Sequence, residues 1–155
     1  MTKEKKLAYK NELKHFCHAI IEQRITTAKL AGEDAQRSAN SEEKSSAGDK
    51  YETGRAMSHL EKEMHSKQVA ENVKELATLH TVDTGLLYNT VQAGAVICCD
   101  NIIFFIAAGL GKQVISGNTI LFLSLNSPLA QLLKNKKKGD RFLFNRNDIA
   151  IVDVY

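Results

Sequence analysis

Tryptophan is absent, and proline occurs once, at Pro128, in a chain of 155 residues. So little proline suits long unbroken helices, because an interior proline removes a backbone hydrogen bond and clashes with the preceding turn. The three cysteines, Cys17, Cys98 and Cys99, form no CxxC pair, which excludes a zinc knuckle and a thioredoxin-like motif. No apolar run approaches a membrane span; the longest mainly apolar stretch runs from Ile102 to Leu110, about half of what a bilayer requires. The opening Met-Thr-Lys-Glu-Lys-Lys leads into polar helix and does not read as a signal peptide. A soluble protein of the cytoplasm, with no membrane contact, is expected. The formal net charge of +3 is too small to imply nucleic-acid binding alone. The basic residues are concentrated at 134–138, Lys-Asn-Lys-Lys-Lys, with Arg141 and Arg146 following. A solvated turn, or a contact with phosphate or an acidic protein surface, would account for that run.

Glycine is unevenly placed. Residues 1–80 hold Gly32, Gly48 and Gly54, and the other six of the nine lie in 81–155. The first part carries two helical patterns. Leu13, Phe16, Cys17, Ile20, Ile21, Ile25 and Ala28 recur at spacings of three and four, and Met57, Leu60, Met64, Val69, Val73 and Leu76 do the same further on. Such narrow stripes on polar helices suit a coiled-coil seam. The small polar segment Ser38–Gly48 can reverse the chain, so an antiparallel hairpin is expected. A second helix over about 48–79 would extend roughly 45–50 Å.

The second part reads as strands at 91–98, 102–107, 119–125, 141–144 and 149–154. Ser127 followed by Pro128 starts a short helix as N-cap and first helical residue. Gly139-Asp140 closes the turn after it, and 145–148 turns a hairpin. Gly109-Leu-Gly111-Lys112 lacks phosphate-loop spacing and reads as a strand-joining turn. His15 and His18 read as solvated coiled-coil histidines. Adjacent Cys98 and Cys99 place one thiol in the core and the other on the surface. The expected fold is α+β: a coiled-coil hairpin over 1–80 and a small, mainly antiparallel β domain with one short helix over 81–155.

Two segments carry a resemblance to the Gre family of bacterial transcript-cleavage factors. Leu123-Ser-Leu-Asn-Ser-Pro-Leu-Ala-Gln-Leu-Leu-Lys-Asn-Lys-Lys-Lys-Gly-Asp-Arg-Phe resembles the family's strand, Ser-Pro helix and basic turn closing on Gly-Asp. Gly48-Asp-Lys-Tyr-Glu52 resembles its tip segment, and the order of coiled coil before sheet domain is similar. The resemblance implies an FKBP-like C-terminal domain docking at the rim of the RNA polymerase secondary channel. Ser127, Pro128, Lys136, Lys137, Lys138, Gly139 and Asp140 would form the docking surface. The coiled coil would enter the channel and come within reach of nascent RNA. Asp49 and Glu52 would act as the catalytic acids and help hold a Mg2+ ion shared with the polymerase, the only cofactor implied.

That role has a physical basis. Magnesium takes hard oxygen ligands, and two carboxylates three apart project from one side of a helix. The helix dipole equally favours acids at a first turn with no metal involved. Tyr51 stands where the family has a small serine, and Thr53-Gly54-Arg55 replaces its Asn-Ala-Glu run. Arg55 would compete with a cation. Two further readings therefore stand beside cleavage: occupation of the channel alone, and a coiled-coil module for an unrelated partner. An apolar stripe outside the hairpin seam would favour the last. The protein is not expected to be an enzyme itself, since an isomerase would need an aromatic-lined pocket and fold alone is a poor guide to activity.

Overall fold

The computed structural model describes the backbone of residues 1–42 and 48–155 and the side chains of 1–41 and 53–155. Two long helices come first, α1 (Lys3–Glu42) and α2 (Gly48–Thr81). Then follow β1 (Val96–Cys98), β2 (Ile103–Ile106), β3 (Gly111–Ile115), β4 (Asn118–Leu123), α3 (Pro128–Leu133), β5 (Arg141–Phe144), β6 (Asn147–Ala150) and β7 (Asp153–Val154). The class is α+β. The chain divides into two compact units, one of Met1–His18 with Thr78–Tyr155 and one of Ala19–Ala77.

The unit of residues 19–77 is a helical hairpin. On α1, Ile21, Ala28, Ala35 and Ala39 are buried and Ile25 and Gly32 half-buried, an alternation of four- and three-residue steps that marks a coiled-coil seam. A Cβ added at Gly32 would meet Cβ of His65 at 3.6 Å, and Lys62 donates to Gln36. Numbers rise on α1 as they fall on α2, so the helices are antiparallel.

The α2 side of the seam corrects the sequence expectation. Met57, Leu60, Met64 and Val73 are 59%, 65%, 51% and 49% exposed. Ser58, His65, Val69, Asn72 and Leu76 are half-buried instead. Only Val69 and Leu76 of the expected stripe fall there. Small residues on α1 leave a narrow seam that small and polar α2 residues fill. The methionine stripe points about 100° away, the angle between neighbouring positions 64 and 65.

In the other unit, β3-β4-β2-β1-β7 form a five-stranded sheet, antiparallel except where β2 pairs with β4, and β5-β6 form a separate hairpin. Both faces of the larger sheet are covered. On one, Ile97, Phe104, Ile106 and Leu123 pack with Ala130 and Leu133 of α3 and with Phe142 and Ile151. The Phe104 ring meets Phe142 and Phe144 edge-on at 5.7 and 5.5 Å. On the other, Phe105 pairs with Phe122 in register, and Phe16 stacks on Phe122 at 5.5 Å. Phe16 therefore belongs to the sheet and not to the hairpin seam.

Residues 111–115 were not expected as a strand. Their outward residues Lys112 and Val114 are exposed, so the apolar alternation is weak. The available signal was the two-residue turn Ser116-Gly117, whose positive φ values of 50° and 80° match the twist of a hairpin. Asn145-Arg146 repeats this geometry at 50° and 66°, so the last hairpin turns on two residues and β6 begins at Asn147. Residues 91–95 form no strand. The chain turns at Gly94, where φ is +86° and a Cβ would lie 2.6 Å from the Asp83 carbonyl oxygen. Residues 107–110 join β2 to β3, so of the expected turn Gly109-Leu-Gly111-Lys112 only Gly109 and Leu110 lie in the connection, and Gly111 and Lys112 begin β3. Among the described residues no helix is long and apolar enough to cross a membrane.

Candidate partner-binding surface

The segment from Ser127 to Asp140 is shaped by its own backbone. Ser127 adopts extended geometry, φ −65° and ψ 149°, and its Oγ accepts from the Ala130 amide at 3.2 Å, satisfying one of the orphan donors at a helix start. Pro128 follows at a position where no amide hydrogen is needed. Ala130 and Leu133 turn inward, while Leu132 stays 51% exposed. Gln131 reaches back to the Leu125 carbonyl at 3.1 Å.

The basic turn is tied down on both sides. Asn135 takes a left-handed φ of 67°, which asparagine tolerates better than most residues. Its amide donates to the Val91 carbonyl at 3.0 Å, and the Val91 amide donates to the Lys136 carbonyl at 2.8 Å. The Asp140 carboxylate accepts from the Lys137 amide at 2.9 Å. Gly139, at φ +93°, donates to the Ile151 carbonyl at 2.9 Å.

Ser127 and Asp140 thus use their side-chain oxygens to shape the segment. The ammonium groups of Lys134, Lys137 and Lys138 stand on exposed residues, with Lys136 half-buried. Among the described residues no ion pair holds any of the four. Beside α3 lies a cavity of about 240 Å3 whose lining includes buried Val91, Ile106 and Ala130 and exposed Asn126, Gln131 and Lys134. Free cations next to an apolar recess suit an acidic protein surface that presents a small apolar side chain.

Gly48 opens α2, so Asp49 and Glu52 fall in its first turn, three residues apart. Their side chains lie outside the described residues, as do that of Glu42 and all of Glu43. Arg55 is half-buried, and its Nε donates to Nε2 of His59 at 3.4 Å.

Sequence reasoning missed a polar strap. Lys6 pairs with Asp153 at 2.8 Å, Lys10 donates to the Leu86 carbonyl at 2.6 Å, and Lys14 donates to the Val82 carbonyl at 2.6 Å. The four-residue period of these lysines on α1 was the available signal. The histidines also differ from expectation: His18 is half-buried and stacks on His80 at 5.4 Å. Of the two adjacent thiols, Cys99 is buried and Cys98 is half-buried, 3.9 Å from the Tyr155 hydroxyl, so neither stands fully at the surface.

No protein-family model matches the chain, and no curated protein matches it. A solved structure described as that of the transcription factor Gfh1 is similar in outline, at 12% identity and a TM-score of 0.38, covering 89% of this chain and 92% of that one. A likeness at that level carries no argument about chemistry.

Proposed function

We propose that the protein is a Gre-like regulator that binds bacterial RNA polymerase through the Ser127–Asp140 surface, with its helical hairpin entering the secondary channel. The observation that carries this reading is the Ser127-capped, Pro128-initiated helix leading into a pinned turn whose lysines form no ion pair among the described residues, the segment in which the family resemblance is strongest. A hairpin tip bearing Asp49 and Glu52 fits the requirement for hard oxygen ligands from one side of a helix. Asp49 and Glu52 would hold a Mg2+ ion shared with the polymerase, and the chemistry such an ion supplies is activation of a water for hydrolysis of backtracked RNA. The protein's part is to bring the two carboxylates there and orient them.

The test follows labelled RNA in stalled, backtracked polymerase, with the protein, without it, and with the Asp49→Ala/Glu52→Ala variant. Shortening that accelerates and is lost in the variant supports cleavage. No shortening, with competition against a cleavage factor, supports channel occupation alone. Absence of both shortening and polymerase binding removes the reading.

One observation favours a second reading. Met57, Leu60 and Met64 form an exposed apolar stripe on α2 outside the seam, as a coiled-coil module for an unrelated partner would present. Methionine adapts readily to varied apolar surfaces. Polymerase binding that ignores changes in the stripe would set this reading aside.

A further inference from the structure

Asn11, Lys14, His15 and His18 lie within two turns along one side of α1, and with Thr84 they line a cavity of about 330 Å3. All five belong to the same compact unit, and the volume lies within the range of small-molecule sites.

Lys14 and Asn11 supply the fixed hydrogen-bond donors of the cavity. The Thr84 hydroxyl, on a residue only 4% exposed, donates to Asn11 Oδ1 at 2.5 Å. That contact occupies the amide oxygen and leaves the Asn11 NH2 group as donor. Lys14 gives one ammonium proton to the Val82 carbonyl at 2.6 Å, so two of its three donors remain. No carboxylate among the described residues pairs with it. His15 is exposed, and His18 lies nearly parallel to His80, at 16°. Two acids are close in sequence: the Asp83 carboxylate accepts from the Gly85 amide at 2.7 Å, and Glu22 follows His18 by one turn. Among the described residues no three His, Cys, Asp or Glu side chains are grouped to hold a metal ion.

A cavity in which the Lys14 ammonium and the Asn11 amide supply donors and positive charge complements a ligand that accepts. Phosphate oxygens are such acceptors, and charge-assisted bonds to them are the strong class. The geometry points to a binding site for the phosphate group of a small molecule, with Lys14 as the charged anchor and Asn11 and His15 as further donors. The site goes beyond the polymerase reading and does not depend on it.

The test is NMR of the histidine ring signals of the full chain during titration with inorganic pyrophosphate. His15 and His18 are expected to shift and saturate, while His59 and His65 in the hairpin stay fixed. Lys14→Gln is expected to weaken binding by roughly tenfold, and the exposed His15→Ala, which removes no packing, by about threefold to tenfold. A far-ultraviolet circular dichroism spectrum and a thermal midpoint equal to those of wild type report that each variant is folded. Absence of a saturable shift overturns the proposal. So do equal shifts at His59 and His65, or unchanged affinity in both variants. A short single-stranded RNA serves as second probe: RNA shifting these signals where pyrophosphate does not would overturn the small-ligand assignment.

Discussion

Lys10 is fully buried with its ammonium 4.3 Å from the centroid of the Tyr88 ring. It donates to the Leu86 carbonyl, so a ring face and a peptide oxygen replace the water it lost. Neither carries a full negative charge. Burial therefore lowers its pKa from 10.5 to about 8, against the opposing pull of Asp83.

The sign of the pH effect follows. Between pH 8 and 10.5 the unfolded chain holds more protons at this residue than the folded one, so its contribution to stability rises with pH across that window. Tyr9, Tyr88, Cys98 and Cys99 are pushed upward by burial and act in the opposite direction. The informative quantity is thus wild type minus Lys10→Met, measured by denaturant unfolding from pH 7 to 10.5. The difference is expected to move in favour of wild type by up to about 3 kcal/mol; a flat difference would contradict a buried charged lysine.

The hairpin seam and the methionine stripe should respond differently to substitution. Ile21 is fully buried, and Ile21→Ala is expected to cost about 2–5 kcal/mol. Met57→Gln, Leu60→Gln and Met64→Gln change exposed positions and should each stay within about 0.5 kcal/mol. Thermal unfolding followed by circular dichroism distinguishes the two groups. A large loss from the stripe variants would place those side chains in a packed interface.

The thiols should be slow. Cys17 is fully buried, burial raises the Cys98 thiol, and Cys99 is pushed up to about 11, by burial first and by Cys98 and Asp100 after it. Since the thiolate is the reactive form, a disulfide reagent at pH 7.5 should label all three slowly in the native protein and rapidly in denaturant. Fast native labelling of Cys99 would contradict its buried position.

The sequence made legible what contiguous residues encode. The two helices, the Ser127-Pro128 helix start, the basic turn and the final hairpin all rest on neighbours in the chain, and so did the proposed docking surface. The α2 seam was not legible, because the apolar residues there are not the buried ones. Ala28, Gly32, Ala35 and Ala39 bring the helices close enough for Ser58 and Asn72 to fill the seam. Phe16 was assigned to the seam and Lys10 escaped notice, since both depend on residues more than seventy positions away. The cavity at Asn11 and Thr84 is formed across a contact spanning 73 residues, which no local pattern announces.

Polymerase docking through the basic turn is most directly tested by binding of the full chain to immobilised bacterial RNA polymerase at one fixed salt concentration. The comparison is wild type against Lys134→Glu/Lys137→Glu/Lys138→Glu, with circular dichroism confirming equal helix content. Saturable binding that weakens by about tenfold or more in the triple variant is the predicted result. No binding by wild type, or equal binding by both proteins, would contradict it.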